Sequence, residues 1–403
     1  MAPAAVIRLS LSGPITNMEG FMRIRGPLIC LLCLLASAAL LHSGGPQSAG
    51  KERHLLYVAV PGIRNYVEYG GVGILVYDVD GGHKFVKRIP TWETPSGGQP
   101  ENVKGIAASA KTGKLYVSTT KRVACFDLAT EAKVWEKAYA GGSDRIAISP
   151  DGKILYVPSL EGPMWNVVNA HTGDIIAKIE TRSGAHNTIF GPDGSRIYLA
   201  GLKSPLLSIA DSRSNTVVKQ VGPFSNVIRP FTVNGSQTLC FVNVNELLGF
   251  EVGDCQSGKK LYRVEVAGYQ KGPTKRHGCP SHGIGLTPDE RELWLADSYN
   301  SSVHIFDATV MPPMQIASIK LRDQPGWITF SIDGRYAYPS TGDVIDTHSK
   351  RIIATLGDET GRHVQSEKLL EVVTDNGKPV AAGDQFGIGR RVGADLPSAH
   401  RSE

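Results

Sequence analysis

Arg145-Ile146-Ala147-Ile148-Ser149-Pro150-Asp151-Gly152-Lys153-Ile154-Leu155-Tyr156-Val157 sets two short apolar runs around a tight turn. Proline presets its own φ, and glycine tolerates the positive φ that such turns need, so the stretch reads as a β-hairpin. Related turns recur at Thr112-Gly113, Asp193-Gly194, Asn234-Gly235, Asp289-Glu290, Asp333-Gly334 and Asn376-Gly377, with separations of 39, 42, 41, 55, 44 and 43 residues. Each of the first six turns precedes an apolar strand, as in Leu115-Tyr116-Val117, Ile197-Tyr198-Leu199 and Leu293-Trp294-Leu295.

A third strand ends in an acidic turn at Asp127, Asp307 and Asp346, and a fourth follows, as in Ile175-Ile176-Ala177-Lys178-Ile179. Four strands in a unit of about 43 residues predict a propeller blade rather than a helical repeat. One such sheet cannot bury both of its faces, so neighbours must stack around an axis. The expected fold is therefore all-β, a seven-bladed β-propeller of four-stranded antiparallel blades. Leu55–Val60 reads as a second strand without a first, and Leu369–Val373 as a first strand near the other end. Pairing the two in one blade closes the ring and removes an open edge. Pro379–Gly383 is a surplus strand candidate for that blade.

The units resemble the YVTN-type propeller repeat, a family of exported or cell-surface seven-bladed propellers. Ser149–Val157 and Thr287–Asp297 carry the likeness, which covers the chain after residue 54. It implies the fold. Similar propellers serve as binding scaffolds, surface proteins, lactonases and electron-transfer partners, and some bind copper through histidines facing the channel.

The start of the chain has another character. Arg23 and Arg25 precede the apolar run Leu28–Leu35 and the small residues Ala36-Ser37-Ala38-Ala39. This is the pattern of a secretory signal peptide, with Met18 or Met22 a better start than Met1. The run is shorter than the roughly 20 residues that span a bilayer, and an uncleaved anchor is the alternative. The expected division is residues 1–45 as signal peptide or anchor, 54–384 as propeller and 385–403 as a C-terminal tail. The expected location is periplasmic, extracellular or at the cell surface. Outside the leader stand Cys125, Cys240, Cys255 and Cys279, too few for a disulfide framework in so long a chain. The formal charge of +5 is spread thinly, which argues against a nucleic-acid partner.

In a propeller, the loops joining blades open on one face and the first-to-second-strand turns on the other. On the inter-blade face the expected ligand-binding residues are Asp144, His186, Arg229, His277, His282, Trp327 and His363, with Glu367 and Lys368 beside the last. The segment from Tyr269 to His282 is unusually long and supplies two of these histidines. No nucleophile elbow, His-Glu-x-x-His pair or phosphate loop is present in the sequence. The expectation is a monomeric scaffold that binds a small molecule or a protein at the channel mouth, without evident catalysis. No cofactor is expected, although a channel-bound metal stays open. The alternative is a lactonase-like or metal-dependent enzyme using the same histidines. Asp127, Asp307 and Asp346 read as turn residues, and His171 and His348 as solvated groups on the opposite face.

Overall fold

The computed structural model describes residues 52–390, apart from 94, 95, 97 and 275. The leader expected over residues 1–45 lies outside the described residues. No helix among the described residues is long and apolar enough to cross a membrane.

The described residues form seven antiparallel sheets. In chain order, blade 1 spans residues 103–138, blade 2 147–180, blade 3 185–221, blade 4 228–265, blade 5 284–320 and blade 6 328–355. Blade 7 is the closing blade. Its first strand, Leu369–Asp375, pairs with Arg53–Val60 from the other end of the chain, which pairs in turn with Gly73–Asp78. Each first strand packs beside the first strands of both neighbours, and blade 7 completes the circuit by touching blade 1.

Local chemistry explains why the unit repeats. At residues 149–152 the Ser149 hydroxyl accepts from the amides of Lys153 and Ile154, while Asp151 accepts from Lys153 and from the Ser149 hydroxyl. Gly152 completes the turn at φ 76°. Thr287 with Asp289, and Ser331 with Asp333, repeat three of these four contacts. Asp127, Asp307 and Asp346 cap third-to-fourth-strand turns by accepting backbone amides.

Period-two alternation sends each blade's two faces into different cores. Leu115 and Val117 of blade 1 pack against blade 7, whereas Tyr116 packs against blade 2. Seven apolar clusters result, one for each blade interface, so stability is spread around the ring. An aromatic ring occupies the same place in every second strand: Tyr57, Tyr116, Tyr156, Tyr198, Phe241, Trp294 and Tyr338. Fourth strands lie at the rim and are largely exposed.

The surplus strand has a definite place. Lys378–Ala382 pairs with Leu369–Asp375 on the channel side, making blade 7 five-stranded. It climbs from the turn face towards the inter-blade face. Beyond it, Gln385 donates to the Ile146 carbonyl and accepts from the Ile106 amide. The chain then reverses. Gly387 accepts from Thr232 and from the Leu286 amide, the Gly389 amide donates to Val233, and the Arg390 amide donates to Pro288. Thus residues 378–390 double back inside the central channel. They leave a pocket of about 80 Å³ whose lining includes Ile106, Ile146, Phe190, Phe386 and Ile388.

Candidate functional site

The aromatic position in each second strand gives a common ruler. It pairs with Ala107, Ala147, Ile189, Thr232, Gly285, Thr329 and Leu370 in the first strands. Three residues upstream of these stand Lys104, Asp144, His186, Arg229, His282, Gly326 and Glu367. Each blade therefore contributes one residue at the inter-blade mouth of the channel, and six of the seven are polar.

These residues form a connected, mostly buried network. Asp144 bonds His186 Nδ1 at 2.5 Å and pairs with Lys104 at 3.3 Å. Across the channel, Glu367 Oε2 accepts from Arg145 Nη2 at 2.5 Å and from Lys368 Nζ at 2.7 Å. Its other oxygen, Oε1, lies 3.0 Å from His277 Nδ1 and 3.8 Å from His282 Nδ1. Arg145 joins the two halves, because its Nη1 also lies 3.4 Å from His186 Nε2. Lys368 donates a further bond to the Gly62 carbonyl at 2.9 Å.

Burial at this depth costs several kcal/mol per ion unless charges are paired, and the pairing is close to complete. Burial by itself would raise the Asp144 carboxyl, but His186 and Lys104 outweigh it and hold the group at about 2. For Glu367, Lys368, His277 and Arg145 overcome burial and hold the carboxyl well below its ordinary range. Burial drives His186 and His282 downward, against the opposing pull of Asp144 on the first and of Glu367 on the second. Burial and the Arg145 charge bring the Lys368 amine down to about 7. Several buried atoms in or beside the network have no hydrogen-bond partner: Arg145 Nε, both amide atoms of Asn187, His277 Nε2, and Asp144 Oδ1, which faces Lys104 only as an ion pair.

Trp327 forms the floor of this network. Arg145 stacks on its face at 4.2 Å, and His282 lies 6.2 Å away on the mouth side. Below it, the indole N–H donates to the Gln385 carbonyl, and the ring meets Phe386 edge-on at 5.7 Å. One side chain thus separates a charged layer from the apolar plug.

The long joining segment is the lid. Arg276 bonds Gln365 and Asp323 and stacks over Tyr69 at 4.8 Å. Asn300 donates to the Gln270 carbonyl, and Lys271 pairs with Glu246. His277 is carried inward by this lid, and it fills the space of the ring's seventh side chain. A Cβ on Gly326 would sit 2.0 Å from His277 Cε1.

Of the seven sequence-derived site residues, Asp144, His186, His277, His282 and Trp327 converge. Arg229 is at the ring level but faces the lid, bonding Asn245 and the Gly278 carbonyl. His363 stands apart, exposed and bonded to Arg322. Glu367 and Lys368 occupy the centre instead. Arg145 was missed as a site residue because it sits at the head of the repeat and reads as a strand residue. The ruler of aligned second-strand aromatics was the available signal, since it selects Lys104 and Glu367 as ring members and places Arg145 directly after Asp144.

The four cysteines Cys125, Cys240, Cys255 and Cys279 are buried free thiols. Burial pushes the Cys279 thiol up to about 12, which leaves it a poor nucleophile. Another histidine network, His304 between Asp297 and Ser318, lies in blade 5 beneath the ring of Tyr269.

No protein-family model and no curated protein matches the chain. Among solved structures it is similar to hydrazine synthase of Kuenenia stuttgartiensis, with a TM-score of 0.55 and 15% identity over 69% of this chain and 88% of that one. At that identity the likeness speaks for the propeller fold alone.

Proposed function

We propose that this chain is an exported propeller of the YVTN-repeat kind that works as a binding scaffold, engaging a protein partner through its inter-blade face. One observation carries the reading. The channel is filled by the protein's own chain, with residues 378–390 below Trp327 and the lid above it. The charged groups at the mouth are engaged with one another, so recognition falls to the loops around them. A rigid ring that displays loops suits such a role.

Those loops carry apolar surface. Val67, Tyr269 and Tyr299 are exposed, and Tyr66 and Tyr69 pack edge to face beside Val67 at 6.2 Å. Aromatic residues are enriched in protein interfaces. The test is recovery of a partner from the expressing cells with tagged wild-type protein and with a Val67→Asp/Tyr299→Asp variant. Loss of the same partner on substitution supports the scaffold. Turnover by the purified protein that disappears with His186→Ala or His282→Ala would replace it with an enzyme. Export predicts a mature chain lacking the leader, which intact mass measurement of the secreted protein checks.

A further inference from the structure

We infer that His277, His282 and Glu367 form a binding site for one divalent ion of the zinc class, which ties the lid to the ring. The inference stands on the geometry of the mouth and does not depend on the partner-binding reading.

Two imidazoles and one carboxylate are a donor set suited to borderline transition-metal ions rather than to calcium or magnesium. One donor atom from each of the three residues lies within 4.8 Å of the other two. Metal–nitrogen and metal–oxygen bonds of about 2.0–2.2 Å place tetrahedral donors roughly 3.3 Å apart. Glu367 Oε1 stands 3.0 Å from His277 Nδ1 and 3.8 Å from His282 Nδ1, so this oxygen faces both rings at close range. All three side chains are buried, and among the described residues this is the group of such donors that converges.

Three further observations point to a ligand. His277 Nε2 is buried without a hydrogen-bond partner, although leaving such a nitrogen unpaired costs about 1–3 kcal/mol. The contact of Nδ1 with Glu367 at 3.0 Å holds the ring, and Nε2 is the nitrogen left over. Gly326 makes room for the convergence, because a Cβ there would lie 2.0 Å from His277 and 2.5 Å from Glu367 Oε1. The donors also have outer partners of the kind that orient metal ligands. The Gly326 carbonyl accepts from His282 Nδ1 at 2.8 Å, which leaves Nε2 as the nitrogen for an ion, while Arg145 and Lys368 hold Glu367 Oε2 and leave Oε1 turned to the imidazoles. The same two cations weaken the carboxylate as a donor and oppose a third positive charge. The expected affinity is thus micromolar rather than nanomolar.

His277 and His282 belong to the lid and to the start of blade 5, and Glu367 to the start of blade 7. An ion shared among them spans the mouth and restrains the lid.

The experiment uses the full mature chain, stripped with chelator and titrated with Co²⁺ and then Zn²⁺. The expected result is one equivalent of Co²⁺ with the visible d–d bands of a low-symmetry nitrogen and oxygen site, displaced by Zn²⁺. His277→Gln and His282→Gln should each weaken binding by more than about 100-fold, beyond the loss typical of an outer-shell partner. His171→Gln, an exposed histidine of a third-to-fourth-strand turn, should leave binding unchanged. Absence of stoichiometric binding by the wild type overturns the proposal, as does wild-type affinity in both lid variants. Should those variants fail to fold, X-ray absorption of the Co²⁺-loaded wild type decides: imidazole scattering sustains the site, and its absence sinks it.

Discussion

The two ends of the channel are closed by opposite physics. Below Trp327 the plug is held by backbone hydrogen bonds and by Phe386 and Ile388, drawn from one short segment. Above it, charges and imidazoles from blades 1, 2, 3, 5 and 7 hold one another. A main-chain plug tolerates many side chains, whereas a buried charge network fails when one member is removed. The lower end therefore depends on the continuity of the chain, and the upper end on charge balance.

Ending the chain after residue 382 should do the most damage, because it exposes the apolar channel wall and leaves the buried Trp327 N–H unpaired. A loss above roughly 5 kcal/mol follows from combining an aromatic-sized cavity with an unsatisfied buried donor, read as a fall in the urea midpoint. If the plug matters as described, this loss is nearly independent of salt and of neutral pH. A truncated chain that melts like the full one would remove the plug from the account.

Glu367→Ala comes next, at about 3–5 kcal/mol, because Arg145 and Lys368 stay buried without their partner. Replacing the group together, Arg145→Met, Glu367→Leu and Lys368→Met, should restore much of that loss. Failure of the triple variant to recover would show that the network also fixes the geometry of the mouth.

Acid separates the two ends further. Asp144 has a folded value of about 2 against an ordinary 3.8. Its contribution is therefore complete above pH 3.8 and disappears as the pH falls towards 2. The expected size is about 2 kcal/mol, and Asp144→Asn should flatten the acid limb of a stability–pH curve.

The smallest effect belongs to the turn face. His54 is raised to about 9 by its bond to Glu371, whose other oxygen accepts from the Ile332 amide. A raised base stabilises fully below pH 6.5, and the benefit fades as the pH climbs through 9. Partial exposure of the ring screens the interaction, so the loss should be small, and absent in His54→Gln. A pH profile without this alkaline slope would deny the closing blade its ion pair.

Much of this was legible in the chain. The Ser149–Gly152 turn and its relatives announce themselves through local hydrogen bonds, and period-two alternation identifies residues that face a core. The surplus of strand residues at 379–383 was visible too, but its site was not. Pro379 and Val380 carry no mark of the channel, because they are placed by the free inner edge of a strand over three hundred residues from its second-strand partner at Leu55.

The candidate site divides in the same way. Asp144, His186 and His282 were readable because repeat alignment puts them at one level. His363 shared the residue type and the neighbourhood, yet its loop turns outward to Arg322. Glu367, a few residues on, faces the channel because it begins a first strand.

What the amino-acid order determined alone is the blade, its count and its closure, since turns and alternation act over a few residues and repeat. What tertiary structure decided is the content of the channel. Seven strand ends, one lid and one doubled-back segment meet there from remote parts of the chain, and burial then sets which charges must pair.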